Sequence, residues 1–226
     1  MDSAIMSGVR YHTIAREYVV CKRALSIIAS LVLLVLLSWV FLLIAVLLKI
    51  FHPDVPVFIS VPVIGKDGKP FRMWKFSTMV ADAHIILEKL LASDPKLREE
   101  WETTVKLQND PRILGKVGRL LRKSSLNELP QLYNVLRGDM SLVGPRPITA
   151  REAPLYIEYG GSDMLHLRQS IRPGITGLWQ VSGRSDISYE ERVALDKTYC
   201  QAASLSTDLR ISLLTVWHVF RGTGAA

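Results

Sequence analysis

The sequence predicts an α+β fold, in which an N-terminal membrane helix precedes a mostly helical domain that contains a small β-hairpin. Three observations support this prediction. Residues Ala24–Leu48 form a 25-residue run without a charged side chain. Two short segments rich in β-branched and aromatic residues follow it, on either side of a turn sequence. Most of the remaining chain places apolar residues at helical spacing. The predicted parts are an N-terminal segment (1–21), the membrane helix (22–50) and a domain of ordinary size (51–226).

The composition limits the classes of partner. The chain of 226 residues carries a net charge of +7, which suits phosphorylated substrates, anionic lipid or nucleic acid. It shows no zinc-ligand spacing and no nucleic-acid recognition signature, so we expect no nucleic-acid partner. Cys21 and Cys200 are too few for a disulfide framework and fit a reducing compartment.

The apolar run is long enough to cross a bilayer. As one helix, Ala24–Leu48 would reach about 37 Å. Basic residues flank both ends, with Lys22 and Arg23 before the run and Lys49 after it, so the positive-inside rule does not choose an orientation. A helix that enters and leaves by the same face satisfies both flanks, and a straight span is the alternative.

The β-hairpin is predicted from two segments, Val55–Val61 and Pro70–Phe76. The sequence Lys-Asp-Gly-Lys at 66–69 is a turn signal between them. Pro62 cannot donate a backbone hydrogen bond, so it predicts that the first strand ends there or lies at an edge.

Four helical segments are predicted after the hairpin. Pro95 should interrupt the first, Ser188 and Glu191 have the spacing of a capping box in the third, and the last is amphipathic. That last helix either lies in the lipid headgroup layer, with Trp217 at the interface, or packs in the core. The segments are Asp82–Val105, Ile148–Gln169, Ser188–Cys200 and Asp208–Phe220.

A row of basic residues precedes the most distinctive part of the sequence. Its spacings of 4, 3 and 4 place the row on one side of a helix, where it would suit phosphate oxygens or form a solvated face. The row consists of Arg112, Lys116, Arg119 and Lys123.

Four motifs resemble the bacterial sugar transferases. They are Leu126–Gln131, Gly138–Pro147, Lys75–Met79 and Arg172–Arg184. The resemblance implies a membrane-bound enzyme that transfers a sugar 1-phosphate from a UDP-sugar to undecaprenyl phosphate, the first membrane step of exopolysaccharide synthesis. The chain is most similar to small exopolysaccharide enzymes that load galactose or glucose phosphate. The implied location is the lipid of the bacterial inner membrane, with the catalytic domain on the cytoplasmic face.

The resemblance also implies a site. The family opens its catalytic helix with an Asp-Glu pair, in which the Asp attacks the sugar phosphate and the Glu helps to hold Mg²⁺. Here the pair is Asn127 and Glu128. A carboxamide has no anionic oxygen and attacks phosphorus poorly. The matching substrate-binding positions are Lys75, Arg122, Arg146, Arg172, Gln180 and Arg184.

Further departures from the family pattern accompany Asn127. The family breaks a re-entrant membrane helix with a Ser-Pro pair, whereas this chain has Ser38 followed by Trp39, and only the Ser38 hydroxyl remains to bend the helix. Polar groups of the family are also replaced at Ser26, Val61, Val63 and Ser77.

Two functional hypotheses therefore stand. In the first, the chain is an active transferase in which Glu128 replaces the missing nucleophile or the acceptor phosphate attacks directly. In the second, a catalytically impaired member of the family regulates or scaffolds polysaccharide assembly, with other assembly proteins as partners.

Overall fold

The computed structural model describes residues 15–104, 107–183 and 187–221. The chain is mostly helical and contains two small two-stranded sheets. The helices are α1 (Arg16–Leu36), α2 (Ser38–Phe51), α3 (Ala83–Ser93), α4 (Pro95–Thr104), α5 (Gly115–Lys123), α6 (Gln131–Arg137), α7 (Ala153–Gly160), α8 (Ser162–Gln169), α9 (Leu178–Ser182), α10 (Tyr189–Gln201) and α11 (Leu205–Arg221). The strands are β1 (Phe58–Ile64), β2 (Pro70–Phe76), β3 (Ser141–Val143) and β4 (Gly174–Thr176).

The apolar N-terminal segment is two helices, α1 and α2, and the break between them lies beside Ser38, where the sequence predicted a bend. Leu37 leaves helical geometry (φ −98°, ψ 7°) between α1 and α2. The Ser38 hydroxyl donates to the carbonyl oxygen of Val35 at 2.9 Å, so a serine bends the chain here without the proline of the family. Within the described residues, α1 is the one helix long and apolar enough to cross a membrane.

Both helices of this segment pack against the same domain. In α1, the Arg23 guanidinium donates to the carbonyl oxygens of Val135 and Leu136 at the end of α6. In α2, Ile44 and Leu48 are buried in a cluster that includes Phe76 and Leu121. The residues around the break instead carry exposed apolar side chains, namely Val35, Leu36, Trp39, Leu42 and Leu43.

The predicted β-hairpin is confirmed, with a shift in its first strand. β1 and β2 are antiparallel, and Phe58 lies opposite Phe76. β1 runs through Pro62, which a sheet of only two strands tolerates because every strand is an edge. Asp67 (φ 57°) and Gly68 (φ 72°) make the turn in left-handed conformations.

The predicted helix signals after the hairpin are largely confirmed. Pro95 is the first residue of α4 and separates it from α3. The capping box of α10 is present, since the Ser188 hydroxyl accepts from the Glu191 backbone amide at 3.1 Å. The segment predicted over Ile148–Gln169 is two helices, because Gly161 (φ 78°) interrupts it.

The C-terminal helix α11 has one buried and one exposed face. Ile211 and the partly buried Leu214 join a core cluster with Tyr199 and Val143. Trp217 remains exposed, and the exposed apolar row of the helix is completed by Leu209, Leu213 and Val216. Leu214 therefore lies on the core face of the helix, and Trp217 lies on the exposed face.

A buried ion pair joins α1 to α11. The Lys22 ammonium lies 2.7 Å from Asp208 Oδ2, and both side chains are nearly inaccessible. Tyr18 and Tyr199 donate hydroxyl hydrogen bonds to the same carboxylate, at 3.0 and 2.8 Å. A buried pair of this kind tolerates loss of one partner poorly, because the remaining charge stays buried without compensation.

We therefore expect Asp208→Asn to lower the free energy of unfolding by about 3 kcal/mol or more. Thermal unfolding of protein in nanodiscs measures the change. Asp163→Asn is the matched control, because Asp163 is exposed on α8 and the same substitution there should leave the melting temperature within a degree or so. Equal melting temperatures for the two variants would contradict the role of the ion pair.

Candidate active site

The residues of the Asn-Glu pair lie on a short 3₁₀ turn between α5 and α6. Ser125 adopts a left-handed conformation (φ 58°) that ends α5 and starts this turn, Leu126–Glu128. Pro130 then precedes α6, where its missing amide hydrogen costs nothing. The turn packs against β2, which brings the Lys75 side chain to it.

Lys75, Glu128 and Arg146 form the centre of the site, called here the Glu128 cluster. Lys75 Nζ donates to Glu128 Oε1 at 3.1 Å. The Arg146 guanidinium lies 4.0 Å from the same oxygen. Arg146 is the most exposed of the three, with a side chain 31% exposed. The cluster thus presents two cations and one carboxylate at a partly open surface, which suits phosphate oxygens.

The charges of the cluster keep Glu128 ionised. Burial by itself would raise the pKa of Glu128, but the nearby charges of Lys75 and Arg146 outweigh burial and lower that pKa below its ordinary value. A hydrogen bond from Gln131, the last residue of the Leu126–Gln131 motif, acts in the same direction. Burial lowers the pKa of Lys75, and the charge of Glu128 opposes the change.

Arg122 lies beside this cluster, but the predicted basic row does not form a single face. The charge of Arg122 acts on both Lys75 and Glu128. Arg112 precedes α5 and is buried, with its guanidinium 2.6 Å from Asp110. Lys116, Arg119 and Lys123 remain exposed on α5. The row therefore splits into one structural arginine and a solvated face.

Asn127 is nearly buried, at 8% exposure. Within the part of the chain that the structure describes, no group forms a hydrogen bond with the side-chain carboxamide of Asn127. Asn127 stands next to Glu128 on the turn, so its carboxamide is a neutral group available to a ligand at the edge of the cluster.

The other predicted substrate-binding residues are distributed differently. The structure places Arg172 at the end of α6, where its Nε donates to the Gly138 carbonyl oxygen at 2.9 Å. No contact between described residues joins Arg172 to the Glu128 cluster. Gln180 lies on α9 and donates to the Ile175 carbonyl oxygen at 3.3 Å. Arg184 lies outside the described residues, so its role stays a prediction.

Sequence reasoning missed an aromatic partner of Arg146. Two guanidinium groups lie near the Trp179 ring, with Arg146 at 5.3 Å and Arg192 at 4.5 Å from the ring centre. Arg168 donates to the Arg146 carbonyl oxygen from behind. These contacts hold both the side chain and the backbone of Arg146 in place. The local sequence gives no signal for this contact, because Arg146 and Trp179 lie far apart in the chain.

Asp196 lies in the polar interior behind the Glu128 cluster. Its Oδ2 accepts from the Tyr156 hydroxyl at 2.6 Å, and the residue is fully buried. Burial raises the pKa of Asp196 to about 6, although the charge of Arg168 and the hydrogen bond from Tyr156 oppose the change. An acidic group with a raised pKa shows that burial dominates over its partners.

The geometry defines a class of protein. A cluster of two cations around one carboxylate lies on a domain that carries an exposed apolar helical segment, an arrangement that suits a membrane-associated protein with phosphorylated ligands. The sequence model of the bacterial sugar transferase family matches residues 17–222. The chain belongs to that family.

Named relatives cover most of this chain. The exopolysaccharide production protein ExoY of Rhizobium meliloti is 46% identical over 204 residues, which span 90% of this chain and 87% of ExoY. The undecaprenyl-phosphate galactose phosphotransferase of Salmonella typhimurium is 44% identical over 204 residues, spanning 90% of this chain and 41% of that protein. The UDP-glucose:undecaprenyl-phosphate glucose-1-phosphate transferase of Escherichia coli is 38% identical over 204 residues, spanning 88% of this chain and 40% of the relative.

The raised pKa of Asp196 predicts a pH dependence of stability. Its protonated form is favoured in the folded state, so its contribution to stability is complete below about pH 4 and is lost as the pH rises through about 6. Asp196→Asn cannot titrate, and its stability relative to wild type should therefore improve across this range. Melting temperatures at half-unit pH steps measure the trend. A difference between wild type and Asp196→Asn that does not change with pH would contradict it, and Asp163→Asn should run parallel to wild type.

Proposed function

We propose that the chain transfers a sugar 1-phosphate, galactose or glucose, from a UDP-sugar to undecaprenyl phosphate. The observation that carries the proposal is the Glu128 cluster, in which Lys75 and Arg146 surround one ionised carboxylate at a partly open surface. Membership in the family and the activities named for the relatives from Salmonella typhimurium and Escherichia coli support the same reaction.

Lys75 and Arg146 would bind the diphosphate of the nucleotide sugar. Their positive charges offset the charge that develops on the transferred phosphate and on the departing nucleotide. The Trp179 ring and the Arg168 hydrogen bond hold Arg146 before substrate arrives, so little reorganisation is needed at the moment of reaction.

We infer that the acceptor phosphate attacks the nucleotide sugar directly. The Asn127 carboxamide is a poor nucleophile, and the Glu128 carboxylate is engaged by Lys75 and has a lowered pKa, which weakens its basicity. In direct attack, an oxygen of the lipid phosphate forms a bond to the β-phosphorus. The bond from that phosphorus to the bridging oxygen breaks, and UMP leaves with the electron pair.

Mg²⁺ is the proposed cofactor. Among the described residues, no three Asp, Glu, His or Cys side chains form a ready-made metal site. Mg²⁺ in nucleotide sites commonly binds through one or two carboxylates and the substrate phosphates, so Glu128 alone fits this mode. When bound, the ion would supply charge neutralisation at the diphosphate and favour departure of the nucleotide.

We propose a location at the inner membrane, with the catalytic domain on the cytoplasmic face; the exposed apolar segments support the membrane association. Because α1 and α2 both contact the same domain, a hairpin that enters and leaves by one face fits better than a straight span. The exposed apolar row of α11, with Trp217 among it, suits the headgroup layer.

The central test measures UMP release by protein in nanodiscs with undecaprenyl phosphate, Mg²⁺ and UDP-galactose or UDP-glucose. We expect release by wild type, and a loss of about 100-fold or more in Lys75→Met, because the cation is lost. Intact-mass spectrometry after incubation without acceptor should show no added sugar phosphate on wild type. An adduct that disappears in Glu128→Gln would instead make Glu128 the nucleophile.

Asn127→Asp controls for the missing carboxylate. Activity in this variant together with silence in wild type, for both sugars, would overturn the proposal for the natural chain and favour a regulatory or scaffolding member of the family. Activity in wild type excludes that alternative.

The role of Glu128 toward Mg²⁺ predicts a separate binding result. We expect Mg²⁺ to lower the Kd of UDP for wild type in isothermal titration calorimetry. In Glu128→Gln the ratio of the Kd without Mg²⁺ to the Kd with Mg²⁺ should be about tenfold smaller, because the carboxylate ligand is lost. Glu190→Gln is the matched control, since Glu190 is exposed on α10. The same Mg²⁺ dependence in all three proteins would remove Glu128 from the metal site.

A further inference from the structure

A second group of cations lines a small pocket at the start of α1, and no residue of the Glu128 cluster is part of its lining. The pocket has a volume of about 40 Å³, enough for about three water-sized groups. Whole small-molecule ligands need roughly 300–1,000 Å³, so this pocket suits one phosphate group and not a nucleotide sugar. The polar residues that define this basic pocket are Lys22, Arg23, Lys66, Ser141, Ser170 and Arg172.

Separate parts of the chain bring these cations together. Arg23 of α1 and Arg172 of the loop before β4 both donate to carbonyl oxygens at the end of α6, which holds their guanidinium groups at one helix end. Lys66 comes from the turn of the β-hairpin, and this turn packs against the end of α8. A Cβ atom on Gly68 of the turn would lie 3.5 Å from Gln169 Oε1. The basic pocket is therefore built by tertiary contacts between fixed elements.

The basic pocket carries an excess of positive charge. Its lining contains four cations and no acidic side chain. Lys22 is neutralised by Asp208, at 2.7 Å. Within the described residues, no ion pair neutralises Arg23, Lys66 or Arg172. Like charges that line one small cavity repel each other, and an oxyanion placed between them would remove that repulsion.

Hydrogen-bond donors without a protein partner also line the basic pocket. Ser141 is only 3% exposed, and no described group forms a hydrogen bond with its hydroxyl. The one hydrogen bond of the Arg172 side chain to the described chain uses Nε, so its two terminal nitrogens still have N–H groups to donate. Hydroxyl and guanidinium donors beside a lysine ammonium suit the oxygens of a phosphate group.

The basic pocket lies at the base of the apolar segment. Lys22 and Arg23 directly precede the uncharged run Ala24–Leu48. On the same turns of α1, Val20 and Leu25 are more than half exposed, so an acyl chain can pack against the helix beside the pocket. Basic pockets at this level of a membrane protein suit the headgroups of anionic lipids. The position of the pocket therefore favours a lipid over a soluble anion.

We propose that the basic pocket binds the phosphate group of an anionic membrane phospholipid. The proposal rests on the membrane location given under the proposed function, and not on the transfer reaction. Free phosphate shares the chemistry but has no acyl chain to pack against α1. A bound headgroup would hold the start of α1, the end of α6 and the hairpin turn together at the surface of the bilayer.

Lys66→Met tests the basic pocket without changing the Glu128 cluster. The matched control is Lys69→Met, which removes the same charge from the same turn but outside the pocket lining. Native mass spectrometry of the full chain in detergent gives the Kd of the first bound phosphatidylglycerol. We expect Lys66→Met to raise this Kd about fivefold, because one basic residue is lost, and Lys69→Met to leave it unchanged.

Lys66→Arg keeps the charge and should retain the wild-type Kd. A Kd for Lys66→Met equal to that of wild type, an equal rise in Lys69→Met, or a rise in Lys66→Arg as large as in Lys66→Met would each overturn the proposal.

Competition identifies the source of the phosphate. Excess inorganic phosphate, and excess phosphatidylcholine with its choline cation, should leave phosphatidylglycerol bound to wild type. Displacement by inorganic phosphate would make the pocket a site for the free ion. Displacement by undecaprenyl phosphate at a lower concentration than by phosphatidylglycerol itself would make it a site for the acceptor. Either result would overturn the proposal.

The lipid Kd is measured without turnover. A fivefold weaker Kd in Lys66→Met, found in a protein whose wild type releases no UMP, would keep the basic pocket and reject the proposed catalysis. UMP release by wild type, together with equal Kd values in wild type and Lys66→Met, would overturn the pocket while the proposed function stands.

Discussion

The close approach of two parallel backbone segments, at Gly144 and Gly174, fixes the geometry on which the Glu128 cluster depends. A Cβ atom on Gly174 would lie 2.1 Å from the Gly144 nitrogen, so only glycine permits the approach. This approach pairs β3 with β4 and continues through hydrogen bonds from Gly144 to Thr176 and from Gly174 to Pro145. Arg146 follows directly, and α9 with Trp179 follows β4. The backbone that carries Arg146, the cation next to Glu128, is thus held in place by these contacts.

The same domain fixes the position of the apolar helices. At one end, the Lys22–Asp208 ion pair joins α1 to α11, and at the other, Leu48 of α2 is fully buried. Because both helices dock on the domain that carries the Glu128 cluster, the cluster is held at a set distance from the exposed apolar residues near Leu37. A freely hinged membrane anchor would not keep the Glu128 cluster at a fixed distance from the exposed apolar residues.

Local sequence signals predicted the features with local causes. Pro95 divides two helices because proline lacks an amide donor, and Ser188 caps α10 through residues three positions apart. The Lys75 and Glu128 predictions came from motifs, and the structure brings the two side chains together. The long-range contacts were not predictable in the same way. Arg172 caps the end of α6 by donating to the Gly138 carbonyl oxygen. A guanidinium on a rigid loop can donate to a carbonyl oxygen or to a phosphate, so the sequence could not distinguish these two roles. The contacts of Trp179 with Arg146 and Arg192 join residues from separate segments, so no spacing in the sequence predicts them.

Asn127 changes the charge of the site as well as its chemistry. A two-step reaction through an enzyme carboxylate handles one phosphorylated substrate at a time, whereas direct attack requires the diphosphate and the lipid phosphate together. With Asn127 neutral, Glu128 is the carboxylate that contacts Lys75 and Arg146, and an aspartate at position 127 would add a second negative charge beside it. Repulsion between two bound phosphate groups is reduced by an excess of positive charge in a partly buried site. In the proposed direct attack, the neutral carboxamide of Asn127 therefore favours the simultaneous binding of the two phosphorylated substrates.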